Sequence, residues 1–246
     1  MRFWLLIWGL LPNILLAQTL APSGQPVIIA AEYTDPTTRY QHGVFGNETE
    51  FGALVLTIDD CFRCTNYVER KVKITLPESS VFEDLVPRLA DLDGDGRPEV
   101  VVVETDNQTG ARLAVYSIDG LITATPNIGT SQRWLAPAGI ADLNGDGQLD
   151  IAYIETPHLG KTLKIWTMQR GRLVRIGRKS NLTNHRFGEG FISGGIRDCG
   201  LGAEVITADG IWRNIVASRI VSGLVTSTVI APFDGQRSFE RVLACN

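Results

Sequence analysis

The chain of 246 residues sets 23 Lys and Arg against 27 Asp and Glu for a net charge of −4, and 44% of its residues are hydrophobic. That apolar content suits a folded domain with a sizeable core, and the charge balance lacks the basic excess that a phosphate backbone demands, which excludes nucleic acid as the expected partner.

Arg2 precedes an apolar run from Phe3 to Leu16, followed by Ala17 and the polar pair Gln18 and Thr19. This is the layout of a secretory signal peptide, and about 14 apolar residues broken by Pro12 fall short of the roughly 20 that an uncleaved spanning helix needs. Residues 1–17 are therefore read as the signal. Leu15 is large for the position two before the last residue removed, so a cut as late as residue 21 is the alternative. Residues 22–246 form one domain, secreted or periplasmic, and no later run is apolar enough to suggest a transmembrane helix in the mature chain.

The mature chain holds Cys61, Cys64, Cys199 and Cys245. An even number of cysteines in an exported chain points to disulfides, with three pairings open. Cys61 with Cys64 and Cys199 with Cys245 is favoured, because the first two are close in sequence and Cys245 stands where a chain end needs fastening. Cys61-Phe-Arg-Cys64 also fits a redox or metal pair, but no βαβ pattern surrounds it and Asp59-Asp60 disfavours a thiolate.

Self-comparison organises the rest. Ala90-Asp91-Leu92-Asp93-Gly94-Asp95-Gly96, then Glu99 and the run Val100 to Val103, reappears 51 residues on as Ala141-Asp142-Leu143-Asn144-Gly145-Asp146-Gly147, then Asp150 and the run Ile151 to Ile154. A weaker copy begins at Gly195-Ile196-Arg197-Asp198 but carries Cys199-Gly200-Leu201-Gly202 in place of the acids. Val27 to Glu32 and Ala53 to Ile58 read as strands of a first copy. Short β-branched runs between Gly, Asn and Asp turns predict strands almost throughout. A repeat of about 50 residues and about four strands has the size of a propeller blade. The expected fold is all-β, a β-propeller-like array of about four blades near 22–87, 88–138, 139–193 and 194–246. A small complete ring, an incomplete one and an irregular solenoid all remain open.

Carboxylates at loop positions 1, 3, 5 and 9, with glycines at 4 and 6, suit a hard cation that takes six to eight oxygen ligands. The expected calcium ligands are Asp91, Asp93, Asp95 and Glu99 with the Arg97 carbonyl, and Asp142, Asn144, Asp146 and Asp150 with the Gln148 carbonyl, giving two Ca2+ sites. An EF-hand would need a bidentate Glu at position 12, where Val102 and Tyr153 stand, and an exiting helix where strand formers follow. The bland alternative is a pair of acidic, soluble hairpin tips.

On these two segments the chain resembles the FG-GAP or VCBS type of repeat, as in the propeller domains of integrin α subunits. The resemblance covers roughly residues 85 to 210 and implies a calcium-stabilised blade connection in an extracytoplasmic adhesion or recognition module. Only two intact loops are present, which departs from a seven-bladed ring.

No other motif declares chemistry. His42, His158 and His185 stand far apart and read as ordinary loop histidines, and the stretch from Asn184 to Phe191 as a connecting loop or a binding edge. Arg170, Arg172, Arg175, Arg178 and Lys179 form a basic cluster, read as a solvated strand pair or a face for an acidic polysaccharide or anionic lipid. Asn47, Asn107 and Asn181 begin glycosylation sequons that matter only in a eukaryotic source. The leading reading is a non-enzymatic recognition, adhesion or scaffold module with an unknown protein or carbohydrate ligand. The rival is an extracytoplasmic hydrolase or redox enzyme whose site is scattered over the loops.

Overall fold

The computed structural model describes residues 23–66 and 68–245; the signal-peptide segment lies outside them. The described chain is almost all strand. β1 (Val27–Thr37), β2 (Glu50–Asp59) and β3 (Glu69–Thr75) form a first antiparallel unit with β2 in the middle. β4 (Ser80–Phe82) and β5 (Arg88–Ala90) lie end to end along β6 (Glu99–Asp106), which continues to β7 (Gly110–Ser117) and β8 (Gly120–Ala124). Because Phe82 also pairs with Phe51, β4 joins the first two units into one sheet. The third unit is β9 (Leu135–Ala141), β10 (Asp150–Glu155), β11 (Thr162–Gln169) and β12 (Arg172–Ser180). The fourth repeats the split of the second: β13 (Leu182–Thr183) and β14 (Gly195–Asp198) both pair with β15 (Ala203–Asp209), followed by β16 (Asn214–Val221) and β17 (Leu224–Pro232). Helix α1 (Gln236–Leu243) ends the described chain.

The units stack because each central strand is buried on both faces, which is why β6 reads as an unbroken valine run instead of an alternating one. Val100 and Val102 of β6 enter the core shared with the first unit, whereas Val101 and Val103 enter the core shared with the third. β10 repeats this division, with Ile151 and Tyr153 facing back and Ala152 and Ile154 facing the fourth unit. Val205 of β15 faces the third unit, while Ile206 and Ala208 face α1, whose Phe239 and Val242 complete the last core. Among the described residues the array is thus propeller-like, with four stacked units and α1 packed on the outer face of the fourth. At the other end β3 turns exposed Arg70, Lys71 and Lys73 to solvent.

Close approach of blades sets one glycine. Gly139 of β9 has φ near +147°, and a Cβ there would fall 2.4 Å from the Ile196 Cγ1 of β14. A side chain at 139 would push the third and fourth blades apart.

Both disulfides are present, Cys61 to Cys64 in the β2–β3 connection and Cys199 to Cys245 between the β14–β15 loop and the end of α1. Among the described residues no helix is long and apolar enough to cross a membrane. The basic cluster falls on β12 and its turn, where Arg172, Arg175, Arg178 and Lys179 are solvent-exposed.

Candidate functional site

The acidic loops join β5 to β6 and β9 to β10, so each leads directly into a buried strand. Both fold around their first aspartate. Asp91 Oδ1 accepts the Gly94 amide and Oδ2 the Gly96 amide, each at 2.9 Å. Asp142 does the same for Gly145 at 2.7 Å and Gly147 at 2.9 Å. The glycines at position 6, Gly96 and Gly147, have φ of +84° and +87°, a conformation that keeps the loop coiled inward and that glycine adopts without penalty. Position 9 closes the loop from the strand side: Glu99 accepts the Leu92 amide at 2.8 Å and Asp150 the Leu143 amide at 3.1 Å.

Asp91, Asp93 and Glu99 each present a carboxylate oxygen within 4.8 Å of the others. Asp95 stands apart, with Oδ1 on the Arg97 amide and Oδ2 on the Arg97 guanidinium, both at 2.8 Å. In the second loop Asn144 donates to Asp146 at 3.0 Å, and Asp146 Oδ1 accepts the Gln148 amide at 2.8 Å.

The position-9 acids have an unmet electrostatic need. Glu99 is 6% exposed and Asp150 0%. Burial, with the neighbouring loop carboxylates adding to it, pushes Glu99 up to about 7 and Asp150 up to about 6. Asp150 is buried beside the Thr167 hydroxyl, whose hydrogen bond lowers its pKa less than burial raises it. A buried carboxylate among other carboxylates is costly to ionise, and a bound cation would offset that cost.

The third copy shows the same position solved another way. Register places Glu204 opposite Arg197 one step before Asp198, as Glu99 lies opposite Ala90 one step before Asp91. Asp198 keeps the loop role, accepting the Gly200 amide at 2.8 Å and the Gly202 amide at 3.1 Å. Glu204, however, is gripped by the Arg197 guanidinium at 2.8 and 3.0 Å and by Arg219. Burial raises its carboxyl, but the two arginines outweigh that and hold it below its ordinary value. Where the loop has lost its acids, fixed side-chain cations neutralise the position-9 carboxylate. In the first two loops Arg97 pairs with Asp95 and acts on Glu99 only through its charge, and among the described residues no arginine hydrogen-bonds Glu99 or Asp150.

The opposite edge of the blades carries a second constellation, which sequence spacing did not reveal. Phe51 pairs with Phe82 and Phe82 with Glu104, so the β1–β2 loop meets the far end of β6. Three loops bring all three histidines of the chain to this edge. His42 Nδ1 lies 2.7 Å from Glu83 Oε1, and Glu83 Oε2 accepts the Thr105 hydroxyl at 2.6 Å. His158 Nε2 lies 2.9 Å from His185 Nδ1, and His185 Nε2 lies 2.9 Å from the Glu189 carbonyl. Trp134, buried beneath, stacks on His158 at 6.4 Å, meets His185 edge-on at 5.0 Å and donates its indole N–H to the Glu83 carbonyl at 2.8 Å. Above them is a cleft of about 330 Å3 lined by His42, Arg133, Trp134, His158, Leu159 and Phe187, the last 61% exposed. Burial, then repulsion from the neighbouring imidazoles, lowers His158 to about 4, and burial lowers His185 as well. The segment from Asn184 to Phe191 is the loop between β13 and β14 that supplies His185 and Phe187.

Behind His42 sit Glu50, Glu83 and Asp84, all nearly inaccessible. Burial first, then repulsion from Glu83 and Asp84, raises Glu50 to about 8. Its folded value lies above the unfolded 4.5, so the folded state binds the proton more tightly. The stabilisation is complete below pH 4.5 and is lost as pH rises through 8. Urea midpoints are expected to fall between pH 5 and 9 in the wild type, and Glu50→Gln should flatten that fall by on the order of 2–3 kcal/mol. Parallel curves for the two proteins would contradict it.

Strand-joining acidic turns set into stacked antiparallel units define a repeat protein of the propeller-like class. Within it, residues 91–153 match the model of the FG-GAP-like repeat, and the chain carries that repeat there. No curated protein matches the chain. Among solved structures it is similar to the exotype rhamnogalacturonan lyase YesX, at 13% identity over 87% of this chain and 48% of that one, with a TM-score of 0.48. It is also similar to the Bacillus licheniformis rhamnogalacturonan lyase PL11, at 13% identity over 91% of this chain and 55% of that one, with a TM-score of 0.44. The chain spans about half the length of each.

Proposed function

We propose that this protein is an exported, calcium-binding FG-GAP-repeat module that acts by recognition, adhesion or scaffolding, holding a protein or carbohydrate ligand on its rim loops without catalysing a reaction. The observation that carries the calcium assignment is the contrast at position 9. Glu204 has two arginines, whereas Glu99 and Asp150 are buried with acidic neighbours that raise their pKa values. Asp91, Asp93 and Glu99 would hold one ion, with Asp95 turning from Arg97 to join them, and Asp142, Asn144, Asp146 and Asp150 would hold the other, with the Arg97 and Gln148 carbonyls completing the shells. The two disulfides support export to an oxidising compartment.

The ions would act on stability. A site with a dissociation constant near 10 μM in about 1 mM calcium adds roughly 2.7 kcal/mol to the folded state. The first loop offers four carboxylates and the second three with an amide, so Asp91 to Glu99 is expected to bind more tightly. Calorimetric calcium titration should show two sites, the tighter lost in Asp91→Ala and the weaker in Asp142→Ala. The reverse assignment would refute the ranking, and no calcium heat at all would refute the sites.

A second reading, an extracytoplasmic hydrolase or redox enzyme, is favoured by one observation: His42, braced by the buried Glu83, opens with His158 and Arg133 onto a cleft of about 330 Å3. Screening turnover against His42→Ala separates the two. Hydrolytic or redox activity that this substitution abolishes supports the enzyme, and activity unchanged by it refutes that assignment.

A further inference from the structure

We propose that β12, the outer strand of the third unit, is a docking strip for a linear acidic polysaccharide, held by Arg172, Arg175, Arg178 and Lys179 with Arg170 of the adjoining turn. The strip shares no residue with the acidic loops or the histidine cleft. It gives the recognition reading a carbohydrate class and rests on that reading for export alone.

Residues 156–188 hold eight Lys and Arg and no Asp or Glu, in a chain whose net charge is −4. Folding answers three of the eight: Lys164 pairs with Glu155, Arg186 with Glu189, and Lys161 donates to the Gly210 carbonyl. The other five are those of β12 and its turn. All are exposed, and among the described residues none makes an ion pair or a side-chain hydrogen bond. Their neighbours across the ladder, on β11, include no acid. Like charges gathered this way repel, so the cluster does nothing for the fold by itself.

Edge strands often carry charges that keep other chains from pairing with them. β12 is such an edge, since it pairs with β11 alone. The outer strands of the second and fourth units, β8 and β17, lie on either side of β12 and are edges too, yet neither contains a charged residue. This position in the fold therefore does not require charge. β3 is basic as well, but Arg70 pairs with Asp60 and Lys73 with Asp35, each at 2.8 Å. The cations of β12 differ in having no acid of their own.

The arrangement decides the partner. Arg172, Arg175 and Arg178 recur at every third residue, about 10 Å per step of extended strand, so a linear polyanion laid along β12 meets them in succession. Four of the five cations are arginines, whose planar guanidinium takes a carboxylate through two parallel hydrogen bonds. A bilayer surface fits less well. β8 and β17 add no charge on either side, and none of the three strands contains the Trp or Tyr that anchors a protein at a lipid interface.

The test titrates the full mature chain, saturated with Ca2+, with alginate, and in parallel with uncharged dextran of the same length and with phosphatidylglycerol vesicles. Alginate should bind, and less tightly as salt is raised, because exposed charges are screened. The triple variant Arg172→Ser, Arg175→Ser, Arg178→Ser should weaken alginate binding at least about tenfold, the size of three exposed ion pairs lost together. The matched variant Arg70→Ser, Lys71→Ser, Lys73→Ser removes as many charges from β3 and should leave binding unchanged. Melting temperatures in Ca2+ establish that both variants fold, and should the β12 triple not fold, Arg178→Ser alone decides, with a smaller loss expected. Equal losses from the β3 and β12 variants, no binding of alginate, dextran bound as tightly, or vesicles preferred to alginate would each overturn the proposal. Failure of the calcium sites would appear separately, in the Ca2+ titration of the acidic loops.

Discussion

Replacing Cys199 and Cys245 with serine is expected to lower stability by about 4 kcal/mol, the chain-entropy value for a closed loop of this length. The bond spans 46 residues, which include β15, β16, β17 and α1. It does more than close a loop, because Arg197 donates to the Val242 carbonyl at 2.8 Å beside it and holds Glu204 on the same guanidinium. Without the disulfide the end of α1 loses its covalent hold on the β14–β15 loop, and the arginine that neutralises Glu204 loses part of its support. Urea denaturation in saturating calcium checks the size. A loss below about 1 kcal/mol would mean that packing alone fastens the helix, and that the bond does not stand in for the missing ion.

The second large effect is expected at Phe239. Its side chain is 0% exposed, stands in the core formed with Ile206, Ala208 and Ile215, and meets Trp212 and Phe233 in ring contacts of 6.4 and 5.8 Å. Truncation of a buried phenylalanine costs about 3–5 kcal/mol through lost burial and the cavity left behind. Phe239→Ala should approach that range, because its ring fills the core between α1 and the β15–β16 face. The cysteine and phenylalanine changes act on one element and should not add: once the strap is cut, losing its packing costs less. Strict additivity in a double-mutant cycle would show that disulfide and helix are independent fastenings. A loss at Phe239 no larger than about 1 kcal/mol would mean the helix is peripheral to the fold.

The parts of this architecture that were legible in the sequence are local. The two acidic loops announce themselves because ligand type, glycine placement and the following strand all lie within about 12 residues, and a matched second copy turns a weak motif into a repeat. The Cys199 to Cys245 pairing was legible from where the acids are missing and where the chain ends. Helix α1 was not, because its eight residues, Gln236 to Leu243, present only Phe239, Val242 and Leu243 as an apolar stripe, too short for a periodic signal. The arginine pair on Glu204 was hidden for another reason. Arg197 and Arg219 reach it from strands on either side of β15, so only the register of β14, β15 and β16 brings both guanidinium groups onto Glu204. The histidine cleft was the least legible. His42, His158 and His185 come from three loops of three units, and the stacking of the blades alone makes them neighbours. The one hint was the mixed polar and aromatic stretch from Asn184 to Phe191, which supplies His185, Phe187 and Glu189.

The position-9 contrast connects these observations to function. A repeat that needed its acids only for solubility would have no reason to bury Glu99 and Asp150 or to supply arginines where the acids are gone. A carboxylate buried beside other carboxylates must be neutralised, by a proton or by a positive charge. Arg197 and Arg219 supply that charge to Glu204, and under the proposed function a calcium ion would supply it to Glu99 and Asp150.

The most direct test is a thermal melt of the mature chain under non-reducing conditions, in about 1 mM calcium and again in excess chelator. With two sites each contributing roughly 2.7 kcal/mol, and about 2–4 °C per kcal/mol for a domain of this size, calcium should raise the melting temperature by on the order of 10–20 °C. The same melting temperature with and without calcium would contradict the account, leaving the two loops as acidic turns.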